Sequence, residues 1–127
     1  MSKIDQLLDA ASDKFTAAEV LINQEFHEDA VSRLFYGLLF CARALLLTKE
    51  VTTENPDEII AAFESQFIKK NIVDKELGSL MKDAKKLAEK ADFSPTFSMP
   101  EDKMKAMMEN AQLFMEQVED VISEIEE

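Results

Sequence analysis

Between Leu34 and Leu47 the chain is apolar at every position except Tyr36, Gly37 and Arg43. The pattern around this run predicts a helix from about Glu28 to Lys49, apolar nearly all round. Such a helix must be covered on every side. A four-helix bundle of this size covers only about two sides of each helix, so the remaining surface calls for another molecule. The expected arrangement is a homodimer through the second helix.

The rest of the chain agrees with helices. Two glycines and three prolines in 127 residues are too few for the many turns of an all-β protein. Apolar residues at Ile4, Leu7, Leu8, Ala11, Phe15, Ala18 and Ile22 form one stripe of a first helix, about residues 3–24. A break at 25–28 precedes the second helix. Asn55, Pro56, Asp57 and Glu58 make a strong start for a third, reaching about Lys70, where Asn71 ends it. Asp74 is placed to cap a fourth, about 75–91. The prolines at 95 and 100 mark residues 92–100 as a linker. Ser98 and Glu101 have the spacing of a capping box for a last helix, about 101–126. Its methionines are expected as core filler.

Charge narrows the function. The net charge is −12, with residues 66–90 alone positive at +3 and residues 99–127 at −7. Phosphate backbones need a basic surface, so a nucleic-acid partner is not expected. The lysines of 66–90 read either as a solvated face or as a docking patch for an acidic partner. The longest apolar run, about fourteen residues, falls short of the roughly 18–20 that cross a bilayer. The N-terminus is polar from the start. A cytoplasmic protein off the membrane is expected.

Chemistry is constrained by scarcity. One histidine, His27, excludes paired Glu-x-x-His metal ligands. One cysteine, Cys41, excludes an internal disulfide and zinc ribbons. Two isolated glycines cannot build a phosphate loop. No metal and no cofactor is expected, and His27 reads as a surface residue. The informative polar groups are Arg33, Tyr36 and Arg43, which at about 100° per residue share one side of the second helix. An arginine in an apolar run must be paired or reach water. One reading is a structural ion pair of Arg43 with Asp92 or a first-helix acid. The other is a polar pocket of Arg33, Tyr36, Arg43 and Asp92 that accepts a phosphate or carboxylate.

The segment from Phe26 through Glu28-Asp29-Ala30-Val31-Ser32-Arg33-Leu34-Phe35-Tyr36 to Ala42-Arg43-Ala44-Leu45-Leu46-Leu47 resembles the signature of the HEPN family. Phe63, Phe67 to Lys69 and Asp74 to Leu77 look like its next helices, and Ala91-Asp92-Phe93 resembles its Ala-Asp-Tyr element. The resemblance implies an all-α, antiparallel up-and-down four-helix bundle with an additional short helix. It also implies one domain over residues 1–127 and dimerisation through central helices. Many members are ribonucleases that use an arginine followed, after four to six residues, by a histidine. Others belong to toxin–antitoxin-like pairs and work beside a minimal nucleotidyltransferase. Here the positions after Arg33 hold Leu38, Leu39 and Phe40, and those after Arg43 hold Thr48, Lys49 and Glu50. Ala88 stands where the family has an arginine before Ala-Asp-Tyr, and Asn55-Pro56 where it has Thr-His. No general base or cation for phosphodiester cleavage remains, so no catalytic residue is expected. The implied role is a homodimeric binding or regulatory module, with a nucleotide-binding pocket or a divergent ribonuclease as the alternative.

Overall fold

The computed structural model describes residues 2–126. Five α-helices follow in chain order, with no strand among the described residues: α1 (Lys3–Asn23), α2 (His27–Leu47), α3 (Pro56–Phe63), α4 (Lys75–Phe93) and α5 (Glu101–Glu126). The long helices form the expected all-α bundle, and α3 is the additional short one.

The helix starts follow local chemistry. Ser2 Oγ accepts from the Asp5 amide and Asn55 Oδ1 from the Glu58 amide, each at 3.1 Å. Both satisfy donors that a helix start leaves open. Asp74 sits at the N-cap of α4 without capping it. Its amide donates to Gln117 Oε1 at 3.0 Å and its carboxylate accepts from Gln117 Nε2 at 3.2 Å, which ties this end of α4 to α5.

Three helix ends share one device. Glu25, Glu50 and Asn71 take left-handed φ angles of 67°, 60° and 57°. The next amide in each case donates to the carbonyl five residues back: Phe26 to Leu21, Val51 to Leu46, Ile72 to Phe67. This is the Schellman closure, here without glycine. The predicted third helix is also less regular than its pattern. After Phe63 it widens into a π-turn over Glu64–Ile68. Phe63 and Phe67 are both buried, with Phe63 against Phe114 of α5 at a 5.6 Å ring separation.

Helix α2 packs against all four other helices. This departs from the expectation that a bundle covers only about two sides of the helix, because α1, α3, α4 and α5 all pack on it. At 21 residues α2 is long and apolar enough to cross a bilayer by length and composition, but two-thirds of its most apolar stretch is buried inside the bundle. Helix α2 comes close to α1 at Gly37. A Cβ there would stand 2.3 Å from Cε1 of Phe15 on α1.

Candidate functional site

From Asp29 to Leu47, only seven residues of α2 escape full burial: Asp29, Ser32, Arg33, Tyr36, Phe40, Arg43 and Leu47. They follow the helical repeat and form one strip over five turns. Tyr36 is 48% exposed. The central helix thus keeps one polar-aromatic line open to solvent.

At one end of the strip lies an open cavity of about 500 Å³, lined by Lys14 of α1, Asp29, Ser32, Arg33, Tyr36 and Phe40 of α2, and Asp92 of α4. Asp92 Oδ1 accepts from Ser32 Oγ at 3.0 Å, which fixes the end of α4 against α2. The cavity holds two cations, two carboxylates and two aromatic rings. It could take a phosphate or carboxylate on Lys14 and Arg33, with the aromatic rings beside it.

Three of the four expected pocket residues, Arg33, Tyr36 and Asp92, therefore line one cavity. Arg43 does not. It stands ten residues beyond Arg33, roughly 15 Å along a helix axis at 1.5 Å per residue. There it lines a separate cleft with Lys3, Leu7, Leu47, Val51 and Glu54. Its guanidinium pairs with Glu54 at 3.1 Å and lies over the Phe40 ring at 5.4 Å. The expected partner, Asp92 or an acid of the first helix, is replaced by an acid of the loop after α2. That loop turns back over the last turns of α2, whereas Asp92 is held at the opposite end by Ser32. With Glu54 79% exposed, the pair is worth at most about 1 kcal/mol.

The sequence pattern did not point to Lys14 as a lining residue. Its one signal is that it is the only cation in the middle of an acidic helix. His27 is also more enclosed than a surface residue. Its Nδ1 lies 2.7 Å from the Met99 carbonyl oxygen, and its Nε2 is buried without a partner. The ring fastens the end of the 94–100 connection to the start of α2. Cys41 is fully buried, and desolvation together with the nearby Glu119 charge pushes its thiol well above the usual range. This favours the neutral thiol, which is a poor nucleophile.

Lys82, Lys85 and Lys86 of α4 line a second groove, of about 600 Å³, between α3 and α4. Asp57 and Glu89 bond Lys85 at 2.9 and 3.2 Å and hold its ammonium above the ordinary range. Lys82 lies 3.7 Å from Glu64. Two lysines of the basic stretch, Lys82 and Lys85, are thus answered by nearby acids. Among the described residues, no group of three or more His, Cys, Asp or Glu side chains is placed to hold a metal ion.

Comparison with known proteins gives a consistent result. The family model described as "HEPN domain" matches residues 4–121. A Methanocaldococcus jannaschii protein named "Putative toxin MJ0142" is 30% identical over 113 residues, covering 89% of this chain and 77% of its own. A second protein of that organism, "Putative toxin MJ0605", is 26% identical over 97% of this chain and 91% of its own. A Thermotoga maritima protein named "UPF0332 protein" is 28% identical over 85% and 82%. With a family model spanning nearly the whole helical bundle, the chain belongs to the HEPN domain family.

Proposed function

We propose that residues 1–127 act as a single homodimeric HEPN module that binds and regulates a partner and does not cleave RNA by the family's arginine–histidine pair. The observation that carries this reading is the open strip on α2. A helix packed on all its other sides keeps Tyr36, Phe40, Arg33 and Arg43 at the surface, the residue types enriched where proteins meet. The lone histidine precedes both arginines in the chain and bonds the backbone at Met99, so it is poorly suited to serve as their general base. The toxin names of the two archaeal relatives suggest a toxin–antitoxin-like setting. In that setting the partner in trans would be a minimal nucleotidyltransferase, which this chain would act on by contact.

Sedimentation equilibrium across the micromolar range tests the dimer, and titration with a minimal nucleotidyltransferase of the same organism tests the partner. A dimer that binds it and leaves RNA intact is expected. A clean monomer, or RNA cleavage abolished by Arg33→Ala, would overturn the reading.

A second reading rests on the cavity at Lys14, Arg33 and Asp92. There the protein would bind a nucleotide through its phosphate. Titration calorimetry with ATP and with inorganic phosphate tests it. Heat that disappears in Lys14→Ala and Arg33→Ala would favour it, and no heat from either ligand would remove it.

A further inference from the structure

Along α4, steps of four, four and three residues bring positions 82, 86, 90 and 93 to one side of the helix. They hold Lys82, Lys86, Lys90 and Phe93, all exposed. The line is about 16 Å long at 1.5 Å per residue. Phe93 is 86% exposed, more than any other large apolar side chain among the described residues. The groove between α3 and α4 lies beside this line and has Ile60 and Ala61 of α3 in its lining. A second open cavity, of about 440 Å³, is lined by Lys86, Glu89, Lys90, Phe93 and Ser94. The two share Lys86 and Glu89, so they form one continuous surface.

We propose that this surface docks an acidic amphipathic helix of a different protein, with carboxylates on Lys82, Lys86 and Lys90 and an apolar side chain against Phe93. It shares no residue with the open strip of α2 and does not depend on the homodimer reading. Charge carries the choice of partner. The chain has a net charge of −12, yet residues 66–90 sum to +3. Lys82 and Lys85 are answered by Glu64, Asp57 and Glu89. Lys69, Lys86 and Lys90 pair with no acid among the described residues. Carboxylates four residues apart on one helix match lysines four residues apart on another. A groove between two helices with an apolar lining is a common seat for a third.

Other occupants fit less well. Asp57, Glu64 and Glu89 stand among the lysines and would repel a phosphate backbone. Ile60 and Ala61 offer such a backbone nothing to bind. A second copy of this chain would have to bring an acidic helix with a free apolar face. Its most acidic helix, α5, already buries the stripe from Met104 to Ile122 in its own bundle.

The surface can be changed without touching the core, because Lys86, Lys90 and Phe93 all lie outside it. An exposed ion pair is worth at most about a fivefold change in affinity. Covering an aromatic ring is worth about tenfold. Reversing two lysines replaces two attractions by two repulsions, so the pair together should exceed either value alone.

Fluorescence anisotropy tests this with the full chain and a labelled synthetic helix that carries glutamate at every fourth position and leucine along the neighbouring face. Binding that weakens as salt is raised is expected. Lys86→Glu together with Lys90→Glu should weaken it about tenfold or more. Phe93→Ala, or alanine for leucine in the synthetic helix, should each weaken it about tenfold. The same reversal at Lys3 and Lys49, which line neither cavity, alters the net charge equally and should change binding by less than about twofold. Circular dichroism confirms that each variant folds. No binding of the acidic helix overturns the proposal. Equal losses from the two pairs of reversals overturn it and leave net charge as the cause. An RNA oligonucleotide that binds in place of the helix, and is lost with Lys86→Glu and Lys90→Glu, overturns it in favour of nucleic acid. A higher oligomer of the wild type that the same two reversals dissolve overturns it in favour of a second copy.

Discussion

Replacing Gly37 by alanine should destabilise the protein, against the usual sign. Glycine inside a helix is normally a defect, and Gly→Ala there gains about 0.8–1.0 kcal/mol of helix propensity. At Gly37 the new methyl would stand 2.3, 2.7 and 2.9 Å from three atoms of the Phe15 ring. Carbon atoms in contact sit at about 3.5–4.0 Å, so α1 must move or the ring must turn. Phe15 is 4% exposed and has little space to turn into. Overpacking a filled core costs about 1–3 kcal/mol, and three short contacts with one rigid ring belong at the upper end. The net expectation is a loss of about 1–2 kcal/mol, seen as a lower midpoint in urea unfolding at unchanged slope. Phe15→Leu made together with Gly37→Ala should recover part of that loss, giving a coupling energy above about 0.5 kcal/mol. The other glycine is the control. At Gly78 the nearest atom to a Cβ is the movable end of Glu64, at 3.0 Å, so Gly78→Ala should gain up to about 1 kcal/mol. A Gly37→Ala variant as stable as wild type would refute the close-approach argument.

The left-handed helix ends predict that Glu50→Gly stabilises by up to about 1 kcal/mol in the same assay, because an αL residue with a Cβ carries about 1–2 kcal/mol of strain, partly offset by the freer unfolded chain. Asn55→Ala removes the acceptor of the Glu58 amide and should cost about 1 kcal/mol. Cys41 gives a pH prediction. Its folded pKa lies above the ordinary 9.0, so the folded state holds this proton longer than the unfolded chain does. Its contribution is fully present below about pH 9 and declines as pH rises further, by up to about 1.4 kcal/mol per unit. Comparing thermal unfolding of wild type and Cys41→Ala between pH 8 and 10.5 should show a shallower alkaline decline in the variant.

The helices were legible because their periods, caps and prolines agree with one another. Asn55 caps α3 as its place before Pro56 implies, and the long apolar stripes of α1 and α5 are buried as their spacing requires. The helix ends were less legible. Left-handed closures are usually announced by glycine, and here Glu25, Glu50 and Asn71 take that role, with Phe26, Val51 and Ile72 supplying the closing amides. The π-turn at Glu64–Ile68 has no period of its own to read. At the candidate site, helical spacing identifies the side of α2 but does not gather its residues into one pocket. Arg33 and Arg43 share a face, yet ten residues separate them, and a pocket is a local object. Lys14 was hidden for a different reason. It comes from another helix, and only the packing of α1 on α2 brings it there.

Helix α2 divides its positions sharply between those the bundle encloses and those it leaves open. A substitution at an enclosed position disturbs the packing of the bundle, whereas Asp29, Arg33 and Tyr36 on the open line are exposed and can change with little cost to the core. A change of charge at Asp29 or Arg33 therefore alters what the surface of α2 presents to solvent while the bundle keeps folding.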